Sequence, residues 1–309
     1  MGVGVVRQRA WRGLFAAALA AFFFATMPVA ARKIHGEQGI DLLSLLSARF
    51  LVGAILLWVF RPRREGLWPT RQEWRWLGLA MAGLCATSGM YFLALRTVPA
   101  ATAILLVYTY PAFTAIVGRL WFGEPIGLKR GAALVVTFIG SAALMGWSRH
   151  GMGGVPFGGM LLAAGGGLTY SLFSLGSQHL MRARSPIWVN RWCVTGASLA
   201  YLVIRPPITW ASATASGYLP LLLGGLYLGL MTVYLANTLF LKAIQLVGAT
   251  RAGLYSTMEP LFTALLAWLI LQESLGGGQL FGAILVLLGV LGLEGLEDRA
   301  RDVSYNTSS

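Results

Sequence analysis

Residues 108–124 read YTYPAFTAIVGRLWFGE and residues 257–273 read TMEPLFTALLAWLILQE. Laid over each other at an offset of 149 residues (260 − 111), they match Pro111 with Pro260, Phe113 with Phe262, Thr114 with Thr263, Ala115 with Ala264 and Glu124 with Glu273. The match continues outward. Ala94, Val98, Ala100, Ala103 and Leu105 meet Ala243, Val247, Ala249, Ala252 and Leu254, while Gly140, Leu144 and Gly146 meet Gly289, Leu293 and Gly295. With Leu120 and Gly127 added, 15 of 55 aligned positions are identical, against roughly five expected from so biased a composition. The chain is an internal duplication. A fainter match at an offset of 142 pairs Arg49, Phe50 and Val52 with Arg191, Trp192 and Val194 and by itself carries little weight.

The duplicated unit is apolar. Of 309 residues, 57% are hydrophobic and only 11% charged, with mean hydropathy +0.69, whereas a soluble domain carries about 25% charged residues. Such a chain cannot clothe a water-facing globule and reads as an all-α, polytopic membrane protein. A helix needs roughly 20 apolar residues to cross a hydrocarbon core of about 30 Å. Ten segments qualify, near 13–31, 41–60, 76–95, 99–121, 129–147, 157–180, 187–204, 218–241, 248–271 and 277–296. The seventh is weakest, because Asn190 and Arg191 interrupt its start. The first resembles a secretory signal in its Arg7, Arg9 and Arg12 flank, but the even span count favours a retained helix.

A formal charge of +13 suggests a nucleic-acid binder only until the cations are placed. They lie between apolar runs. With the N-terminus inside, 18 Lys and Arg fall on the cytoplasmic side, five (Arg32, Lys33, Arg96, Arg149 and Arg205) on the other, and Arg49 within a span. That bias places both termini in the cytoplasm and removes the need for a polyanionic partner. Cys85 and Cys193 sit in apolar runs as reduced thiols. His35, His150 and His179 are too far apart in sequence to suggest a metal site, and no cofactor is called for. Gly165, Gly166 and Gly167 follow no strand and precede no lysine, so they serve helix packing rather than a phosphate.

A boundary in the glycine-rich stretch 148–156 leaves a first repeat of five helices in 1–147, a second in 157–296 and a cytoplasmic tail in 297–309. Five is odd, so the second repeat enters the membrane from the opposite side. Inverted-topology repeats place a substrate site near the midplane between the halves.

Glu259-Pro260-Leu261-Phe262-Thr263-Ala264, Gln272-Glu273-Ser274-Leu275, Gly282 and Gly289 resemble the C-terminal signature of the EamA family of the drug/metabolite transporter (DMT) superfamily. The first half repeats it as Tyr110-Pro111-Ala112-Phe113-Thr114-Ala115 and Gly123-Glu124-Pro125. The resemblance covers essentially the whole chain and implies bacterial inner-membrane carriers that mostly export amino acids and related small metabolites. The aromatic run before Pro111 is similar to that of the YddG-type exporters of aromatic amino acids. Tyr110 departs from its own repeat partner, Glu259.

Pro111 and Pro260 each fall about 12 residues, hence roughly 18 Å, from one end of their spans. Each removes a helical hydrogen bond at the midplane and reads as a kink or hinge beside the site, with a role in packing alone as the alternative. Glu259, deep within a span, is a candidate for a substrate ammonium or a proton, with a backbone-capping role as the alternative; an unpaired charge there costs at least about 2.5 kcal/mol. Ser256 shares its face. Further lining is expected from Thr26, Thr87, Ser88, Tyr91, Tyr108, Tyr110, Tyr170, Ser174 and Tyr234, with Asn237 beside the last. Trp76, Trp121 and Trp147 read as interface anchors. Arg49 could bind a carboxylate, but a structural or snorkelling role is favoured.

The sequence thus predicts a carrier that exports amino acids or similar small metabolites by alternating access. Extrusion of lipophilic drugs is the alternative within transport, and a non-transporting membrane protein a remote one. Catalysis is unsupported, since no nucleophile-base set or acid pair lies at membrane depth. Partners are the small-molecule substrate, the lipid bilayer and, as a candidate coupling ion, the proton; the oligomeric state is left open.

Overall fold

The offset of 149 residues reappears in the helix boundaries of the computed structural model. It describes residues 3–38, 41–61, 65–66, 68–94, 97–98, 100–123, 127–144, 156–210, 218–272 and 276–306. Helix α1 is Val3–Gln38, α2 Leu42–Val59, α3 Glu73–Ala94, α4 Ala100–Val107, α5 Tyr110–Phe122 and α6 Leu128–Leu144. Helix α7 is Phe157–Leu180, α8 Pro186–Ile204, α9 Tyr218–Leu228, α10 Asn237–Val247, α11 Ala249–Ser256, α12 Glu259–Leu271 and α13 Gly277–Asn306. Adding 149 to the bounds of α4 (100–107) and α5 (110–122) gives those of α11 (249–256) and α12 (259–271), and adding it to the start of α6 (128) gives that of α13 (277). Even the caps agree: Gly123 and Gln272 both end their helices left-handed, at φ 68° and 55°. Glycine adopts that region without penalty, whereas glutamine does not.

Proline explains the two interruptions. Pro111 and Pro260 occupy the second positions of α5 and α12, and each lacks the amide that would continue the helix before it. Thr109 and Thr257 turn their hydroxyls onto the carbonyls of Leu106 and Leu254, each at 2.6 Å, and so satisfy backbone beside the breaks. Helix α7 passes close by: a Cβ on Gly167 would stand 2.9 Å from the Val107 oxygen.

Helices α6 and α13 pack antiparallel through reciprocal glycines. A Cβ on Gly140 would meet the Gly282 oxygen and Val286 nitrogen at 2.8 Å each, and one on Gly289 would meet Thr137 Cγ2 at 2.5 Å and the Ala133 oxygen at 3.3 Å. Since 140, 133 and 137 become 289, 282 and 286 on adding 149, each helix presents to the other the surface it receives. Elsewhere α3 lies along α7, and α1 along α10, α11 and α12, while α2 is held between α8 and α9.

Helix α8 is fastened at both ends to the segments that flank α2. Asp41 caps α2 through Ser44 N at 3.0 Å and takes Arg205 Nε at 3.4 Å. At the other end, Glu65 accepts from Ser185 N at 3.0 Å and Ser185 Oγ at 2.7 Å. Arg184 adds a two-pronged bond to Glu73, 2.7 and 3.0 Å.

Among the described residues seven helical stretches, Gln8–Met27, Glu73–Ala94, Ala103–Phe122, Phe157–Leu180, Pro186–Ile204, Tyr218–Val247 and Ala249–Ile270, are long and apolar enough to cross a membrane. The other expected spans fall on α2, α6 and α13. Two local expectations change. Asn190 and Arg191 do not weaken the start of α8: both are buried, and Asn190 Nδ2 donates to the Val233 oxygen and Thr238 Oγ1 at 2.9 Å each. Val233 belongs to Gly229–Ala236, which is wound as a π-helix between α9 and α10. The C-terminal helix also runs on to Asn306 rather than ending near 296. The expected inter-repeat boundary at 148–156, apart from Pro156, lies outside the described residues, as do Trp147, Glu124 and Glu273 and the side chains of His35 and His150.

Candidate functional site

The two broken helices come from opposite repeats and meet at their breaks. Helix α5 packs on α11, and the Tyr110 hydroxyl donates to the Gly253 oxygen at 3.1 Å, with Ser256 within hydrogen-bonding reach. A side chain at 253 would press on the Tyr110 ring, its Cβ 3.1 Å from Cε2, so this glycine permits the approach.

Glu259 opens α12 at the second break. It is half-buried rather than sealed, although it stands mid-way along the α11–α12 stretch. The Tyr108 phenol lies within hydrogen-bonding reach of its carboxyl, and Tyr91, Tyr110 and Tyr170 share its electrostatic surroundings. Among the described residues no cation stands against it. Tyr170 sets its ring edge-on to Tyr110 at 4.7 Å and stacks on Phe240 at 5.6 Å. Tyr91 and Tyr170 are themselves half-buried. An acid with a phenol beside it, among aromatic rings and buried hydroxyls, is a chemistry that can attract an ammonium through charge and ring faces.

The other expected lining residues divide. Ser256 stands beside Tyr110, yet its hydroxyl also bonds the Ala252 oxygen at 3.0 Å. Ser174 is buried and bonds the Tyr170 oxygen at 2.9 Å. Thr87 is taken up in packing α3 on α7, through the oxygens of Gly83 and Gly166 and through Thr169 Oγ1. Ser88 bonds the Leu84 oxygen at 3.2 Å. Thr26 bonds the Phe23 oxygen at 2.7 Å, next to Met27. Tyr234 faces away, toward Phe60 at 6.1 Å. Trp76 does not stand as a lone anchor: it stacks on His179 at 4.1 Å, with Phe122 at 5.9 Å and Trp121 at 6.2 Å around it. Arg49, Met27 and Tyr201 form a neighbouring group that sequence reasoning did not assemble. Its only advance signal is the depth of Arg49 in α2. Among the described residues no cluster of His, Cys, Asp and Glu could hold a metal ion.

The chain matches the EamA-like transporter family twice, over residues 11–146 and 157–294. An uncharacterized transporter of Synechocystis sp. is 26% identical over 208 residues, which is 65% of this chain and 60% of that protein. The aromatic amino acid exporter YddG of Ancylobacter novellus is 27% identical over 162 residues, 51% of this chain and 56% of that one. A riboflavin transporter of Rhizobium johnstonii is 29% identical over 157 residues, 50% and 48% of the two chains. In these alignments the chain therefore spans about half to three fifths of its relatives' lengths. A solved crystal structure shares the fold at TM-score 0.72 and 20% identity, over 93% of this chain and 98% of that one.

Proposed function

The chain belongs to the EamA-like transporter family, and on that premise we propose that it is a bacterial inner-membrane carrier exporting amino acids or related small metabolites by alternating access. Glu259 carries the reading: a half-buried carboxyl at the break of a spanning helix, with the Tyr108 phenol within hydrogen-bonding reach and no cation against it among the described residues. It receives the ammonium group, while Tyr91, Tyr108, Tyr110 and Tyr170 form the aromatic wall. Two features support alternation. The broken helices are equivalent in the two repeats, and the reciprocal, antiparallel packing of α6 and α13 fits a pair of repeats inverted in the membrane. In such a pair Pro111 and Pro260 are the hinges of facing gates. The excess of cations on one side sets both termini in the cytoplasm. The exporter of aromatic amino acids among the relatives fits this substrate class.

The test is counterflow in proteoliposomes with a panel of labelled amino acids, and with riboflavin as a second solute class. Accumulation of one or more amino acids above empty vesicles is expected. No amino-acid flux across the panel refutes the substrate class, and flux of riboflavin alone replaces it.

A further inference from the structure

The ends of three spanning stretches converge on a hollow whose walls share no residue with the surroundings of Glu259. Gln8–Met27 begins there, while Phe157–Leu180 and Tyr218–Val247 end there. The cavity measures about 670 Å³. Four cations line it: Arg9 and Arg12 of α1, Arg182 from the turn after α7, and Lys242 of α10. Arg9 and Arg12 stand three residues apart and so share a helix face. Gln8, Gln178 and Gln245 add amides to the lining, and among the described residues no acid lines it. Arg9 Nη2 donates to the Gln245 backbone oxygen at 3.3 Å and Lys242 Nζ to Gln245 Oε1 at 2.8 Å. The Arg182 guanidinium carbon lies 5.8 Å from the Phe122 ring. Each of these partners is neutral.

The comparison within the chain is Arg184, which takes Glu73 in a two-pronged bond. That is how a structural arginine settles: the planar fork is filled by a carboxylate. Four like charges around one hollow instead repel one another, and their summed field concentrates anions. The walls are fixed. Gly13, next to Arg12, abuts Val247, and an added Cβ would overlap Val247 Cγ1, so α1 and α10 are locked together beside the cavity. Depth narrows the choice of anion. The hollow stands where apolar spans give way to polar chain, which is the level of lipid headgroups. Met181 and Ile244 are buried and, with Leu246, give it an apolar side. A free anion has no use for that side, whereas the glycerol and first methylenes of a lipid do.

We propose that this cavity binds a phosphate group, and that the headgroup of an anionic phospholipid supplies it. Arg9, Arg12, Arg182 and Lys242 donate to the phosphate oxygens, and the amides serve the hydroxyls of the headgroup. Helix α1 comes from the first repeat and α7 and α10 from the second, so one bound lipid bridges the two halves at one face of the membrane. Its binding stabilises the arrangement that forms the cavity, whichever solute is carried.

The test uses the full chain in detergent micelles, titrated with phosphatidylglycerol, with phosphatidylcholine or with inorganic phosphate, and reads the thermal unfolding midpoint. Phosphatidylglycerol is expected to raise the midpoint at concentrations at least about tenfold below those the other two require. Arg182→Gln with Lys242→Gln weakens its apparent affinity at least about tenfold. Arg71→Gln with Arg75→Gln removes as much charge from exposed positions outside the cavity and leaves that affinity unchanged. Equal shifts by the two lipids, or an equal loss in both double variants, overturn the inference. A shift by inorganic phosphate that matches phosphatidylglycerol overturns the lipid source and assigns the cavity to a soluble anion. Should the cavity double variant fail to fold, Lys242→Gln alone, at an exposed position, repeats the comparison, and an affinity equal to the parent's overturns the site.

Discussion

The Tyr110 hydroxyl donates to the Gly253 backbone oxygen across 3.1 Å, joining the start of α5 to the helix that precedes the break in the other repeat. A hydrogen bond of this kind contributes about 0.5–1.5 kcal/mol net. Made in one access state and not in the other, it biases their ratio by up to about tenfold. Tyr110→Phe is therefore expected to change the initial counterflow rate severalfold with little loss of thermal stability. An unaltered rate would mean that the contact persists through the cycle.

Glu259→Gln keeps the shape and removes the charge. Because charge-assisted hydrogen bonds contribute about 1.5–3 kcal/mol, transport affinity is expected to fall at least about tenfold, or the dependence of transport on external pH to flatten. If both stay as in the parent protein, Glu259 serves only the backbone beside Pro260.

Gly140 and Gly289 are equivalent by sequence but not in what an added methyl meets. At Gly140 it strikes backbone atoms of Gly282 and Val286 at 2.8 Å each, whereas at Gly289 the backbone of the facing helix stays 3.3 Å away and only Thr137 Cγ2 is closer. Gly140→Ala should therefore cost about 1–3 kcal/mol and more than Gly289→Ala. Unfolding midpoints of the two variants in detergent give the comparison, and a reversed order would contradict the packing.

Arg184 and Glu73 are each 16% exposed. Water and salt screen such a pair, so its coupling in a double-mutant cycle should be on the order of 1 kcal/mol or less and decline in high salt. Coupling of several kcal/mol would show that the pair works as if sealed from solvent.

Inversion of the repeats predicts that cysteines placed at Glu124 and Glu273, aligned at the offset of 149, react with impermeant thiol reagents from opposite faces of the membrane. Cys85 and Cys193 are replaced first. Reaction from one face would dissolve the inverted arrangement and with it the facing gates.

The duplication and the prolines were legible in the chain because both are local. Pro111 and Pro260 break the helices at the positions where each removes an amide, and the shared offset carries the boundaries of α4, α5, α11 and α12. Hydroxyl-bearing residues are a weaker signal for an equally local reason. Thr87, Ser88 and Ser174 each find a carbonyl four residues back, so a serine or threonine in an apolar helix needs no cavity to be satisfied. Tyr234 had a helical face in common with Asn237, but the π-helical turn of Gly229–Ala236 alters the register that such spacing assumes. Arg49 meets Met27 of α1, and no spacing within α2 foretells that contact.

The clasps at both ends of α8 have a mechanical consequence. Asp41 holds Arg205 at one tip and Glu65, in the connection after α2, holds Ser185 at the other. Segments of the two repeats tied in this way move as one body, so any rocking between the halves has its pivot elsewhere in the molecule.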